Sequence, residues 1–283
     1  MMISETFRSI QGEGKRIGAL TYFIRTVGCN LDCSWCDTQY AMNGGGDVSI
    51  EELIDLVRSD DEVCLTGGEP LLHRESAILI EKLIEMGKTV VVETNGSVDL
   101  SNMPNNDNVI YSMDIKCPSS HMEDRMMFSN IDLLQAKDQV KFVISDGNDL
   151  EYAISVVERY SPKCEVIFSP VGGMDIEPLA EEIIARRLKV RVLPQLHKLI
   201  WGNKKADEAN FLSRSTLLLN AFMHSSTVPS SSNDTLIPAL VSMSYPWEPI
   251  PPVITASTPM TTIALATFIP APSASMNSFS TTS

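Results

Sequence analysis

Three cysteines fall within eight residues in the stretch Gly28-Cys29-Asn30-Leu31-Asp32-Cys33-Ser34-Trp35-Cys36-Asp37-Thr38. Thiols separated by three and then two residues can wrap one side of a small inorganic cluster. Electron-transfer clusters ordinarily take four cysteines. No fourth lies nearby, because Cys64, Cys117 and Cys164 stand alone in distant parts of the chain. Three ligands would leave one iron of a [4Fe–4S] cluster open to an outside chelator, and an open coordination position marks chemistry where a closed one marks structure. The competing reading is a structural Cys₃His zinc site. Its fourth ligand would be His73, His121 or His197, none at the usual short spacing. Spacing alone leaves iron–sulfur and zinc both open. Three buried, unligated cysteines are disfavoured by their density.

Other polar or glycine-rich groups fall where apolar runs end. They are Thr66-Gly67-Gly68-Glu69-Pro70, Glu93-Thr94-Asn95-Gly96, Asp114-Ile115-Lys116 and Ser169-Pro170-Val171-Gly172-Gly173. Each alone reads as a turn. Several in succession read as one rim of a sheet, since paired glycines leave backbone N–H groups free and let a ligand approach closely. Ser9-Ile10-Gln11-Gly12-Glu13-Gly14 reads as a hairpin turn or a second polar loop. Arg25 interrupts an apolar run, so it needs a carboxylate partner or serves as an anion anchor. His197 follows the last apolar run, as a surface group or one facing a site.

Strands must present these groups. Apolar runs at 19–27, 62–66, 88–93, 109–113, 139–144, 165–168 and 189–193 read as short buried strands. Between them lie amphipathic helices. One opens with the capping box Ser49-x-x-Glu52 and turns Ile50, Leu53, Ile54 and Val57 to one side. Residues 76–86 form another, stopped by Gly87. A third is capped by Asn148 and buries Leu150, Ala153, Ile154 and Val157. A fourth spans 176–187. The alternation predicts an α/β fold with parallel strands and right-handed crossovers. Six or seven such strands make a full or partial (β/α) barrel, with a doubly wound sheet as the alternative. In either, ligands gather at the carboxyl ends of the strands.

The chain has 283 residues, 43% of them hydrophobic, which suits one substantial core. A net charge of −14 with no basic run excludes a phosphate-backbone grip and points to small-molecule or protein partners, with no nucleic acid. No secretory signal and no apolar run of membrane-spanning length is found, so the expected compartment is the cytoplasm, without a membrane. Composition changes near Ala206. From Phe211 onward the only charged residues are Arg214, Asp234 and Glu248, among many Ser, Thr and Pro. The expected organisation is a catalytic domain over 1–205 and a low-complexity tail over 206–283, disordered or not native coding sequence.

Cys29-x₃-Cys33-x₂-Cys36 with Gly-Gly-Glu-Pro resembles the radical S-adenosylmethionine (SAM) superfamily. The Gln-Gly-Glu-Gly, Cys36-Asp37-Thr38 and Gln195-Leu196-His197-Lys198 segments narrow the resemblance to the 7-carboxy-7-deazaguanine synthase family. It covers about residues 1–205 and implies a partial barrel of the radical SAM type, with the cluster loop after the first barrel strand. The implied cofactors are a [4Fe–4S] cluster on Cys29, Cys33 and Cys36, SAM, and Mg²⁺ on Thr38. The SAM positions would be Trp35, Cys36, Asp37, Gly68, Asp114, Ile115, Lys116, Ser169, Pro170, Val171 and Gly172. The segments at 114–116 and 169–172 depart from the family's common residues. Ile10, Gln11, Gly12, Arg25 and Thr66 match substrate positions, with Glu13, Glu93 and His197 as additions. The implied reaction turns 6-carboxy-5,6,7,8-tetrahydropterin into 7-carboxy-7-deazaguanine with loss of ammonia, toward queuosine or archaeosine. A flavodoxin or ferredoxin would supply electrons, and the chain would form a homodimer. A glycyl-radical activase and a non-catalytic metal-binding protein are the alternatives.

Overall fold

A computed structural model of the chain describes residues 1–202. The expectations for the tail beyond Ala206 lie outside the described residues. The strands found are β1 (Met2–Ile10), β2 (Leu20–Thr26), β3 (Gly46–Asp47), β4 (Glu62–Gly67), β5 (Thr89–Thr94), β6 (Val109–Ile115), β7 (Gln139–Ile144), β8 (Glu165–Pro170) and β9 (Arg191–Val192). They form one sheet in the order β3-β1-β2-β4-β5-β6-β7-β8-β9. From β2 through β9 every neighbouring pair is parallel. The seven parallel strands are those expected from sequence. The sheet does not close on itself, which makes it a partial barrel. The strands β1 and β3 add an antiparallel edge.

The helices cover one face of the sheet. The first, α1 (Ile50–Leu56), has both halves of its capping box: Glu52 N donates to Ser49 Oγ at 3.2 Å, and Ser49 N donates to Glu52 Oε2 at 2.9 Å. The second, α2 (Glu75–Glu85), buries Leu79, Ile80 and Leu83 and is followed by Gly87 at φ 75°. The third, α3 (Gly147–Tyr160), starts earlier than expected. Asp146 is its cap, accepting from Asp149 N at 3.0 Å, so Asn148 lies inside the first turn. Its buried stripe is Leu150, Ala153 and Val156, while Ile154 and Val157 pack at the margin. Two further helices, α4 (Glu177–Arg186) and α5 (Leu196–Trp201), flank β9. The β5–β6 and β6–β7 crossovers carry no α-helix. Asn, Asp, Gly and Pro dominate 95–108, and Pro118 opens a series of short 3₁₀ turns in the next connection.

The two-residue side-chain period of the strands sorts the two faces. Ile24, Val63, Leu65, Val90, Val92, Val140 and Phe142 point to the helices and join the main core. Their neighbours Phe23, Arg25, Cys64, Thr66, Glu93, Lys141 and Val143 line the inner face. Fully burying a side chain such as Phe142 is worth about 1.5–3 kcal/mol, so the outer face holds the sheet together and the inner face is released for polar groups. The loop between β1 and β2 runs beneath the barrel. Lys15 N donates to Gln139 Oε1 at the start of β7 (2.6 Å), and Arg16 pairs with Glu62 at the start of β4 (2.5 Å). This loop forms a floor under the inner face.

Candidate active site

The inner face, the floor and the strand ends enclose a cavity of about 520 Å³. Cys29, Cys33 and Cys36 all face it from the loop that leaves the carboxyl end of β2. They are half-buried and form no disulfide. Leu31 N lies 3.4 Å and Asn95 Nδ2 3.5 Å from Cys29 Sγ, so two donors aim at the first sulfur. Burial pushes the Cys29 thiol up and the Cys33 thiol up to about 11. Thiols desolvated in this way keep their protons until a metal displaces them.

The donor set fits a cluster. The three sulfurs line one cavity, and each would hold a separate iron of a cluster whose fourth iron stays open. The zinc reading is left with one of its three histidines. His73 Nε2 is 2.9 Å from the Val27 carbonyl, His121 sits on an exposed turn at φ 61°, and only His197 reaches the cavity wall.

Glycine holds this loop against β4. A Cβ on Gly68 would meet Gly28 O at 2.1 Å and Cys29 Cβ at 2.9 Å. Glu69, from the same turn, is fully buried. Its carboxylate accepts from Leu71 N (3.0 Å), Asn95 N (2.6 Å) and the Thr94 hydroxyl (3.0 Å), tying the end of β4 to the end of β5. Burial pushes Glu69 up to about 7 despite those donors.

Deeper in the cavity, Lys141 Nζ lies 2.7 Å from Glu13 Oε2 and 2.8 Å from Glu93 Oε2. Gln195 Nε2 donates to the other Glu13 oxygen at 2.7 Å. Burial opposes the charge on Glu13, but Lys141, His197 and the two donors overcome it and hold the group at about 2. For Glu93 burial prevails and the shift is upward. Glu93 Oε1 is buried with no hydrogen-bond partner among the described residues. The His197 imidazole is shifted down by burial, and its ring sits where a Cβ on Gly12 would be, 2.2 Å from Nδ1.

Of the residues expected at the site, Ile10, Gln11, Gly12, Arg25, Trp35, Asp37, Thr38, Thr66, Gly68, Asp114, Lys116 and Gly172 line this cavity with the three cysteines. Ile115 points the other way, into the core, so its side chain is not in the wall. Ser169 and Pro170 at the end of β8, and Val171 just beyond it, lie outside the lining, and Val143 of the neighbouring strand lines the wall instead. Thr38 Oγ1 is 3.7 Å from Cys36 Sγ. Lys116 pairs with Asp114 Oδ2 at 3.0 Å, and Lys198 of α5 reaches Asp37 at 3.2 Å. Sequence reasoning missed Lys141 and Tyr40. A lysine inside the apolar run QVKFVI is the signal that singles out Arg25 in β2, and it was there to be read.

An open parallel barrel whose first parallel strand feeds a three-thiol loop into a polar cavity defines the radical SAM class. The model of the Radical SAM superfamily matches residues 23–138. The 7-carboxy-7-deazaguanine synthase of Thermoplasma acidophilum is 40% identical over 205 residues, spanning 72% of this chain and 98% of that protein. That of Methanospirillum hungatei is 44% identical over 206 residues, spanning 71% and 85%. The crystal structure of QueE from Escherichia coli shares the fold, with a TM-score of 0.52 at 22% identity, over 68% of this chain and 92% of that one. The chain belongs to the 7-carboxy-7-deazaguanine synthase family.

Proposed function

We propose that this protein converts 6-carboxy-5,6,7,8-tetrahydropterin to 7-carboxy-7-deazaguanine and ammonia, using SAM as the radical source. One observation carries the reading. The three thiols and the polar side chains of Arg25, Glu93 and Lys141 open into the same cavity, so a cofactor and a polar heterocycle fit side by side. When bound, a [4Fe–4S] cluster on Cys29, Cys33 and Cys36 supplies the electron that cleaves the SAM sulfonium and the open iron that chelates its methionine end. Trp35, Asp37 and Gly68 then border SAM, and Asp114 and Lys116 flank it from the end of β6. The backbone of Ile115, and residues 169–172 at the end of β8, complete that border in the proposal.

The chain's own groups orient the pterin. Ile10, Gln11, Gly12 and Thr66 form its floor and wall. Gln11 Nε2 is held 3.7 Å from Cys64 Sγ, and its Oε1 accepts from Gly12 N at 2.9 Å, so the floor is preset. Arg25 receives an anionic substituent. Glu93 Oε1, buried without a partner among the described residues, accepts a hydrogen bond from a ring N–H. Thr38 would offer a hard oxygen to Mg²⁺, which would supply positive charge beside the substrate carboxylate.

The reading extends to a homodimer in the cytoplasm, reduced by a flavodoxin or ferredoxin and feeding queuosine or archaeosine formation. Among the described residues no helix is long and apolar enough to cross a membrane. A glycyl-radical activase or a non-catalytic metal-binding protein is not favoured, because the relatives that match most of this chain are deazaguanine synthases. Anaerobically reconstituted protein, incubated with SAM, dithionite and the carboxy-tetrahydropterin, should release the deazaguanine, seen by mass spectrometry. Intact SAM would defeat the radical reading. Cleaved SAM with unchanged pterin would defeat the substrate.

A further inference from the structure

The strand β1 departs from regular pairing at one place. Ile3 pairs with Thr26 and Glu5 with Arg25, so Ser4 is an extra residue against β2. Such a bulge reverses the alternation of side chains. Ile3 goes to the core under the helices, whereas Glu5 shares the inner face with Phe7, its neighbour two residues on. The bulge therefore turns a carboxylate toward the cavity from a strand whose first residues pack outward.

Glu5 uses one oxygen twice. Its Oε1 accepts from Arg25 Nε at 2.7 Å and from Tyr40 Oη at 2.8 Å. Arg25 and Tyr40 line the cavity wall, and Glu5 stands behind them. The guanidinium is flanked by the rings of Phe7 and Tyr40, with centroids 5.8 and 5.9 Å away, and Phe7 in turn stacks on Phe23 at 5.0 Å. Tyr40 lies two residues past Thr38, on the turn that ends the cysteine loop.

We propose that Glu5 is a positioning residue: it fixes the Arg25 guanidinium by Nε so that the two terminal nitrogens face an anionic group of the substrate, and through Tyr40 it registers that anchor against the loop that carries the cofactors. The proposal rests on the pterin reading above. An arginine held at Nε presents its terminal nitrogens as a fork matched to a carboxylate. Without Glu5 the long side chain is free to take other rotamers, and substrate binding must order it.

The test is a double-mutant cycle read by anaerobic calorimetry on reconstituted protein, with the carboxy-tetrahydropterin and SAM as separate titrants. Glu5→Ala should weaken pterin binding by on the order of tenfold and leave SAM binding unchanged. Arg25→Lys removes the nitrogen that Glu5 holds, so adding Glu5→Ala in that background should change pterin binding no further. Glu5→Gln keeps an acceptor oxygen for both partners and should restore part of the affinity, which also covers the case in which the alanine variant fails to fold. Unchanged pterin affinity in both Glu5 variants, or full additivity with Arg25→Lys, would overturn the proposal. A wild-type protein that binds SAM but not the pterin would overturn the substrate reading and the proposal with it. A wild type that binds both, with indifferent Glu5 variants, defeats the proposal alone.

Discussion

Gln195 Nε2 donates to Glu13 Oε1 at 2.7 Å, across 182 positions of sequence. With Lys141 on the other Glu13 oxygen, the bond joins the floor loop, the middle of β7 and the segment before α5 around one carboxylate. Leu196 N also donates to Gly12 O at 2.9 Å. Among the described residues, the open side of the barrel is thus laced by side chains and one backbone bond where a closed barrel would have a strand ladder.

Lys141 places its ammonium between the part-buried carboxylates of Glu13 and Glu93. Lys141→Met should leave Glu13 and Glu93 facing one another and lower folding stability by about 3–5 kcal/mol in anaerobic denaturant titration. Adding Glu13→Gln should recover part of the loss. A single variant within about 1 kcal/mol of wild type would show that the cluster is not held by this cation.

Glu69 and Glu13 should act on stability with opposite signs. Glu69, raised to about 7 from 4.5, contributes stability that is full below its unfolded value and is lost as pH rises toward 7. Glu13, held at about 2, contributes stability present above 4.5 and lost as pH falls. The stability of wild type relative to Glu69→Gln should therefore decline between pH 4.5 and 7, by up to about 1.4 kcal/mol per pH unit. Relative to Glu13→Gln it should decline on acidification below pH 4.5. A flat difference in either comparison would contradict the assigned shift.

The Gly68→Ala variant tests how the cysteine loop is seated. The clash is with the backbone of Gly28 and with Cys29 Cβ, which have no rotamer to escape into. Iron and sulfide bound after anaerobic reconstitution should fall well below wild type, with Cys29 displaced. Full iron content would mean that the loop shifts as a body.

Thr38 and Cys33 should separate two roles of one loop. Cys33→Ala should abolish both the iron–sulfur absorbance and SAM cleavage. Thr38→Ala should keep both while raising the Mg²⁺ concentration needed for turnover. Loss of the absorbance in Thr38→Ala would instead assign the hydroxyl, 3.7 Å from Cys36 Sγ, to holding the cysteine loop.

Much of this was legible in the chain. The cysteine loop, the glycine turn after β4 and the seven parallel strands follow from spacing and apolar runs, because each is a local pattern. The Ser49 capping box is likewise a four-residue signature. The strand β1 was not legible, since the bulge at Ser4 breaks its two-residue period and Thr6, Arg8 and Ser9 are polar. The helix start at Asp146 was misplaced at Asn148 because both residue types cap well and only the backbone decides between them. The pairing of Lys141 is not legible, because its partners lie 48 and 128 residues away. The turn of Glu5 toward Arg25 depends on that same bulge, which composition does not disclose.

The floor loop has a consequence for biosynthesis. Residues 11–16 leave the ribosome early, and although Arg16 meets Glu62 46 positions on, the partners of Lys15 and Glu13 arrive late: Gln139 and Lys141 come 124 and 128 positions after them, and Gln195 comes 182 after Glu13. Contacts of such separation form slowly, since loop closure precedes any reward. The early hairpin must therefore wait, with Glu13 solvated, while the parallel strands assemble over it. The cavity acquires its bottom only when β7 and the Gln195 segment dock. A nascent chain halted before β7 would carry the cysteine loop on an unfinished vessel, so cluster delivery is best timed after release of the complete barrel.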